Sequence, residues 1–280
     1  MTEVKPLPLD NPLRFEALDE RPAGVWRRPR QFHFLDRIGV IPVSDSELLQ
    51  SALYLPLAVR EAAGTCDVVA VVHTDFLARP LVRDNGRWLP FYMPIALRCL
   101  PFRHAGRTTA GTAKLEIATG LDVDDTAPAL PFIADAGRPH RDFAAAQAHL
   151  DRLEIGKARL AKAAATLLAA DLLVKLTSSN ARKALDTHLL VVDQNRLRRL
   201  TQARTTALAM DGLLALDLAT ACCFSSRLWA SHLVPESTDS TQSDSPISFD
   251  HRSHGVLPVD LRIDDSSLFS FEAFTEGDDQ

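Results

Sequence analysis

The chain lacks most of the sequence features that mark common functional classes. Its 280 residues carry a net charge of −5, whereas a general nucleic-acid binder needs an excess of lysine and arginine to neutralise phosphates. No Walker loop, dinucleotide-binding glycine motif or nucleophile elbow is present, so phosphate-cradling and serine-nucleophile chemistry have no local support. The sequence therefore argues against a nucleic-acid partner and offers no recognisable catalytic motif.

Export and membrane signals are also missing. Residues 1–10 contain acidic and prolyl residues but no apolar run, unlike a signal peptide. Charged residues, namely Lys162, Asp171, Asp211 and Asp217, interrupt the most apolar stretches, whereas a spanning helix needs about 20 apolar residues in succession. We therefore expect a soluble, cytoplasmic protein without a transmembrane segment, although export by a signal-less route stays open.

Cysteine is scarce, with only Cys66, Cys99, Cys222 and Cys223 in the chain. No two of them form a Cys-x-x-Cys pair, and the adjacent Cys222 and Cys223 point in different directions on any regular element. A chain of this length buries enough surface to fold without disulfides. We expect reduced, buried thiols.

The chain does contain an ordinary globular composition, with 46% apolar and 24% charged residues. Cys66–His73 is a β-branched apolar run, which is typical of a strand buried on both faces. Arg141–Ala170 is Ala-rich with an apolar face and predicts a long helix, in which Gly156 is a candidate break. Asp193 is predicted to cap a second helix that turns Leu197, Leu200 and Leu208 inward. These patterns predict an α+β fold in which a long Ala-rich helix and a second C-terminal helix pack on a mixed or antiparallel sheet.

Shorter segments add detail to this fold. Asp84-Asn85-Gly86, between two apolar segments, predicts a hairpin because Asn and Gly tolerate positive φ. Trp88–Phe102 contains three prolines and predicts an extended crossing packed against the sheet. Leu213–Phe224 fits either a strand or a helix. The remaining predictions are strands at Phe32–Val43, Lys114–Ile117, Leu172–Leu176 and Leu189–Val192, and a helix at Arg227–Leu233.

Composition divides the chain into three parts. Residues 1–30 hold five prolines and are predicted to form an irregular arm, in which the basic segment Trp26–Arg30 is interpreted as solvated rather than as an anion site. Residues 31–234 are predicted to form the α+β domain. Residues 235–280, rich in Ser, Thr and Asp, are predicted to be a disordered linker and tail.

Two blocks of the sequence resemble the SapC family of bacterial proteins. The first begins with Asp84–Trp88 and continues through Tyr92, Pro94 and Arg98 to Pro101-Phe102; the second comprises Val191-Val192-Asp193, Leu197, Leu200 and Gly212. The resemblance covers about residues 30–235, including Val40–Val43 and Glu47, and it is broken at Cys99 and Leu100. The family is named for a protein linked to bacterial surface layers, and the resemblance implies a bacterial context but assigns no catalytic residue.

The first block is also the main candidate binding site. It mixes aromatic and guanidinium groups, which are enriched at interfaces because rings give contact area and Arg forms bidentate bonds. Its predicted binding residues are Arg87, Trp88, Tyr92, Arg98, Phe102 and Arg103. In the alternative interpretation, Trp88 and Phe102 are core residues and Arg98 caps exposed carbonyls.

His73-Thr74-Asp75 is a candidate metal site. His-x-Asp with a distant histidine, here His149 or His188, is the facial triad of non-haem iron oxygenases. The long Ala-rich helix argues against the jelly roll that usually carries this triad. Weaker candidates are His251 and His254 with Asp250 and Asp260, and the acidic segment Asp122–Asp125. We predict no metal and no cofactor.

The sequence thus favours a non-catalytic accessory protein of SapC type that binds a peptide or protein partner. An iron-dependent enzyme that uses His73 and Asp75 is one alternative. A surface-layer-associated or exported protein is another. The oligomeric state is left open.

Overall fold

The computed structural model describes residues 13–18, 22–62, 64–105, 114–119, 121, 127–134, 137–178, 188–210 and 212–236. They form an α+β fold with antiparallel sheets, as predicted. The strands are β1 (Arg14–Ala17), β2 (Val25–Trp26), β3 (Val40–Pro42), β4 (Leu57–Ala62), β5 (Thr65–Val71), β6 (Phe102–Ala105), β7 (Lys114–Thr119), β8 (Leu130–Pro131), β9 (Leu173–Ser178), β10 (Leu189–Val192) and β11 (Leu233–Pro235). The helices are α1 (Leu35–Ile38), α2 (Leu48–Tyr54), α3 (Ile95–Arg98), α4 (Arg141–Ala169), α5 (Gln194–Arg198), α6 (Gln202–Ala209) and α7 (Leu214–Ser225).

The largest sheet has six strands in the order β11-β9-β10-β4-β5-β3. β5 arises from the apolar run predicted as a strand, and it pairs with β3 on one side and β4 on the other. Val68 and Ala70 belong to the core on one face of the sheet, while Val69 and Val71 belong to the core on the other. The prediction of a strand buried on both faces is therefore confirmed.

Helices α4 and α7 cover one face of this sheet. Along α4, Leu160, Ala164 and Leu167 are completely buried, because they recur at the helical spacing that brings them to one side. α7 packs on α4 and on β4 and β10. The long helix and a C-terminal helix of the predicted fold are confirmed, and the C-terminal one is formed by Leu214–Ser225, within the segment that the sequence left open between strand and helix.

Gly156 does not break α4, contrary to expectation. A Cβ at this position would lie 2.0 Å from Ser44 Oγ and 2.8 Å from the backbone nitrogen of Asp45. The glycine therefore lets the helix approach the backbone that precedes α2. Arg159, one turn further on, donates to Asp45 Oδ2 at 3.0 Å and so adds a polar contact between α4 and the same backbone segment.

A three-stranded sheet, β1-β7-β6, packs on the N-terminal half of α4. Its core is aromatic: the ring of Phe102 contacts those of Trp26 at 4.8 Å and Phe143 at 5.2 Å, both edge to face. Trp26 is only 4% exposed. The structure thus differs from the predicted irregular arm at β1 and β2, which pair with strands much later in the chain. The division into arm, domain and tail stays a prediction, and residues 237–280 lie outside the described residues.

Two predicted elements differ from the structure because turns interrupt them. Only Val40–Pro42 of the strand predicted over Phe32–Val43 is extended, since Gly39, at φ +66°, separates it from the helical turn α1. The helix predicted over Arg227–Leu233 is wrong, because a 3₁₀ turn that ends at Leu228 leads into β11.

The helix predicted after Asp193 is confirmed at its start and corrected beyond it. Asp193 Oδ1 accepts hydrogen bonds from the backbone N–H groups of Asn195 and Arg196. The helix then ends at Arg198, and Thr201 caps a second one, α6. Of the three leucines expected to face inward, Leu208 is buried while Leu197 and Leu200 are half-buried.

Within the described part of the chain, no single helix has the length and apolar character needed to cross a membrane. α6 and the segment Leu214–Leu228 meet the length and composition test only as a pair bent by 109°. Within α7, Ala215, Leu218 and Cys222 are buried against the rest of the fold, so packing already explains its apolar composition.

Candidate functional site

The candidate site begins at the turn predicted as a hairpin. Gly86 has φ +80° and its N–H donates to Arg83 O at 2.8 Å. A single bridge between Val82 and Trp88 closes the turn, so the hairpin exists without two full strands. Gly86 O accepts from the N–H of Phe32 at 2.8 Å, which anchors the turn to the basic segment upstream of Phe32.

Trp88 joins this turn to the proline-rich segment. Its indole N–H donates to Tyr92 O at 2.9 Å, and its ring packs on that of Phe32 at 6.0 Å. The prediction that this segment is extended throughout is wrong, because Pro94 is followed by the helical turn α3. α3 brings Arg98 to the side of the molecule that carries Trp88.

These segments enclose a cleft of about 630 Å³, which we call the arginine cleft. Arg28, Arg30, Arg87 and Arg98 lie in its wall, and all four are exposed. The other lining residues are Pro29, Phe32, Trp88, Met93, Leu97, Leu100, Ala146 and His149. None of the described residues that line it is an aspartate or a glutamate.

The guanidinium groups of the arginine cleft are only partly neutralised. Arg28 forms an ion pair with Asp142 at 3.3 Å. Arg98 lies over the ring of Tyr92, 5.8 Å from its centre. Among the ion pairs formed by the described residues, none includes Arg30, Arg87 or Arg98. The cleft is therefore a local concentration of positive charge.

His149 reaches the arginine cleft from α4. Burial, and then the positive charge of Arg98, lower the pKa of its imidazole below the usual value. The ring is therefore mainly neutral at pH 7, so the arginines alone carry the charge of the cleft. An anion that enters would favour protonation of His149, because opposite charge stabilises the charged form.

The structure brings three of the six predicted binding residues into this cleft, namely Arg87, Trp88 and Arg98. The basic segment Trp26–Arg30, interpreted as a solvated arm, supplies two further arginines. The sequence gives no local signal for this, because the two segments are distant in the chain and meet through the bond from Phe32 to Gly86 and the packing of Phe32 on Trp88.

The other three predicted binding residues lie elsewhere. Phe102 is 2% exposed and belongs to the aromatic core. Arg103 forms a 2.6 Å ion pair with Glu116 and stacks 3.7 Å from the ring centre of Phe15. Tyr92 lies beneath Arg98, and its hydroxyl is engaged inside the protein.

Glu47 is the buried partner of Tyr92. It is 2% exposed, and its Oε2 accepts from the Tyr92 hydroxyl at 2.6 Å and from the Ile95 N–H at 2.8 Å. Its Oε1 accepts from the Ser44 N–H at 3.1 Å. Burial, and then the hydrogen bond to Glu47, raise the pKa of Tyr92. This network was not predicted, although the Ser-x-x-Glu spacing at 44–47 is the capping-box signal that indicates it.

A second cleft, of about 640 Å³, lies between β3, β6 and α4, and we call it the edge cleft. Leu97 and Leu100 line both clefts. Its charged residues are paired, as in Arg60–Asp67 and Lys157–Glu154. The other lining residues are Leu13, Phe15, Ile38, Val40, Ile41, Pro42, Ala96, Phe102, Arg103, His104, Ala105, Glu116, Leu150 and Leu153.

His73 and Asp75 make a local cap. His73 Nδ1 accepts from the Asp75 N–H at 3.2 Å where a 3₁₀ turn begins, and its ring packs on Phe76. No three His, Cys, Asp or Glu side chains of the described residues gather in a way that could hold a metal ion. His149 and His188 therefore do not complete a triad with them. His251, His254, Asp250, Asp260 and Asp122–Asp125 lie outside the described residues.

All four cysteines are free thiols, as expected. Three are buried and Cys223 is half-buried. Burial raises the pKa of Cys99 and that of Cys222 to about 12. Because only the thiolate is a strong nucleophile, these positions are poorly suited to covalent chemistry.

Comparison with known proteins supports the resemblance seen in the sequence. The model of the SapC family matches residues 24–255 of the 280-residue chain. No curated protein and no solved structure matches it significantly. Since the family match spans both the turn at Gly86 and the segment around Asp193, the chain belongs to the SapC family.

Proposed function

We propose that this protein is a non-catalytic accessory protein that binds an acidic segment of a peptide or protein in the arginine cleft. The observation that carries the proposal is the set of four exposed arginines around one cleft beside the ring of Trp88. None of the described lining residues is an aspartate or a glutamate, and of the four arginines Arg28 alone forms an ion pair among the described residues, with Asp142.

The chemistry of the cleft favours carboxylates on a short, extended ligand. Each guanidinium presents a planar fork that matches a carboxylate, and Trp88 adds a flat apolar surface. The arginines come from three separate segments, so several acidic groups along one chain can be satisfied together. The net charge of −5 opposes a long polyanion such as nucleic acid, whereas a short acidic segment experiences mainly the local positive charge.

Fluorescence anisotropy with a labelled peptide tests this proposal. The probe is an octapeptide with four glutamates and one tyrosine, and the control replaces each glutamate with lysine. We expect the acidic peptide alone to bind, and its affinity to fall as NaCl rises from 50 to 300 mM, because exposed charges are screened. Equal binding of both peptides, or of neither, contradicts the proposal.

Two alternative functions have separate assays. Metal analysis of the purified protein tests the iron-enzyme alternative: stoichiometric iron that is lost in a folded His73→Ala variant would support it. Cell fractionation tests the expected cytoplasmic location against association with a surface layer.

A further inference from the structure

The edge cleft lies where each of two sheets ends in a strand with one open side. β6 ends the three-stranded sheet and β3 ends the six-stranded sheet. Every residue of Phe102–Ala105 and of Val40–Pro42 lines the cleft. A strand that offers only a face contributes every second residue, because successive side chains point to opposite sides. Because consecutive residues of both strands line the cleft, we infer that both strands turn their edges towards it.

The hydrogen-bond register of β6 shows which of its backbone groups face the cleft. Pro101 O accepts from the N–H of Ala118 at 2.7 Å, and Arg103 is paired with Glu116. Since antiparallel ladders bond at alternate residues, Arg103 bonds to β7 while His104 directs its N–H and C=O the other way. No described residue bonds to the backbone of His104.

The backbone N–H and C=O of Phe102 also lie on this edge of β6, and their hydrogen bonds determine how many groups are available for a further strand. Phe102, like His104, turns its backbone away from β7, and its N–H donates to Cys99 O at 2.9 Å. Its C=O accepts no hydrogen bond from the described chain. Three consecutive positions for hydrogen bonding thus remain: the C=O of Phe102 and the N–H and C=O of His104.

β3 is the weaker edge. Its bonds to β5 lie at alternate positions, as the N–H of Val43 to Val68 O shows, so Val40 and Pro42 direct their backbone outward. Pro42 has no N–H to donate, and proline at an edge opposes further pairing. An added strand therefore pairs with β6 and packs beside β3.

We propose that the edge cleft binds an extended peptide, which adds to β6 as an antiparallel strand and is apolar at alternate positions. The apolar positions follow from the leucines of the cleft, Leu97, Leu100, Leu150 and Leu153. An uncharged peptide fits because the charged residues at the rim are already paired. A strand residue occupies about 160 Å³, from its rise, strand spacing and sheet spacing, so the cleft holds about four residues.

A second copy of the chain fits this edge less well than a peptide. β6 is flanked by α4 on one side and β3 on the other, and both line the cleft. If the β6 strands of two copies paired symmetrically, α4 and β3 of one copy would clash with those of the other. The site shares Leu97 and Leu100 with the arginine cleft but none of its four arginines, and it does not depend on the function proposed for that cleft.

Backbone hydrogen exchange followed by NMR tests the proposal. The probe is an acetylated and amidated hexapeptide of alternating valine and threonine. The control is the same peptide with every second amide N-methylated on its pairing edge. We expect saturating probe to slow exchange of the His104 amide at least tenfold and to leave Arg103, already bonded to β7, unchanged. The N-methylated peptide should bind at least tenfold more weakly.

Three results would overturn this inference. They are an unchanged His104 amide at saturating probe, equal binding of both peptides, and a dimer in which His104 is already protected. The probe carries no charge, so Arg87→Ala/Arg98→Ala protein should bind it as wild type does. This separates failure at the edge cleft from failure at the arginine cleft.

Discussion

The hydroxyl of Tyr92 donates a 2.6 Å hydrogen bond to Oε2 of Glu47, a carboxylate that is almost completely buried. The same oxygen accepts from the first N–H of α3, so one carboxylate fixes both ends of the short segment that precedes Arg98. Arg98 in turn lies over the Tyr92 ring. The hydroxyl of Tyr92 is thus a structural anchor for this segment and not a group that contacts a ligand, because it faces inward.

Replacing Tyr92 with phenylalanine tests this role. The variant loses a hydrogen bond to a charged group, and we expect the free energy of unfolding to fall by about 1.5–3 kcal/mol. The ring remains beneath Arg98, so affinity for the acidic peptide should change by less than about twofold. Chemical denaturation and peptide anisotropy measure the two effects. The only other tyrosine, Tyr54, provides the control: a loss of the same size in Tyr54→Phe would show that the bond to Glu47 is not the cause.

In Gly156→Ala, higher helix propensity and worse packing have opposite effects on stability. Alanine is about 1 kcal/mol better than glycine inside a helix, which alone would stabilise α4. The added Cβ would collide with Ser44 and Asp45, and overpacking costs about 1–3 kcal/mol. Because 2.0 Å to Ser44 Oγ is far below van der Waals contact, we expect net destabilisation in thermal and urea unfolding. A stabilised variant would mean that α4 does not approach residues 44–45 so closely.

The lowered pKa of His149 should be visible in the pH dependence of the free energy of unfolding. Its pKa is lowered in the folded protein, so between pH 6.5 and that lower value the unfolded state binds more protons than the folded state. Stability from this residue is therefore present above pH 6.5 and is lost as the pH falls through this window. We expect the loss between pH 7 and pH 5 in urea denaturation to be smaller in His149→Gln than in wild type. Identical losses would show that His149 titrates normally.

Elements set by local pattern could be predicted from the sequence. The apolar run of β5 and the Ala-rich repeat of α4 each specify one element by composition and spacing alone. Gly156 was misjudged because its role depends on Ser44, more than a hundred residues away. The segment after α1 shows the same limit, since Val40–Pro42 becomes a strand by pairing with β5.

The arginine cleft could be predicted only in part. Arg87, Trp88 and Arg98 lie close together in sequence, and their mixture of types indicated a contact surface. Arg28 and Arg30 joined them only in the structure, because the bond from Phe32 N–H to Gly86 O brings the two segments together. Phe102 and Arg103 were predicted to belong to the same binding site because they are close to Arg98 in sequence, whereas strand β6 places them at the edge cleft.

Affinity for the acidic peptide, compared between wild type and Arg87→Ala/Arg98→Ala, tests the assignment of the arginine cleft most directly. Both side chains are exposed, so the variant should fold. Arg79→Ala, which is exposed and lies outside both the arginine cleft and the edge cleft, controls for loss of charge. We expect the double variant to bind at least tenfold more weakly, or about 1.4 kcal/mol, and Arg79→Ala to bind within about twofold of wild type. Unchanged binding by the folded double variant would contradict the assignment.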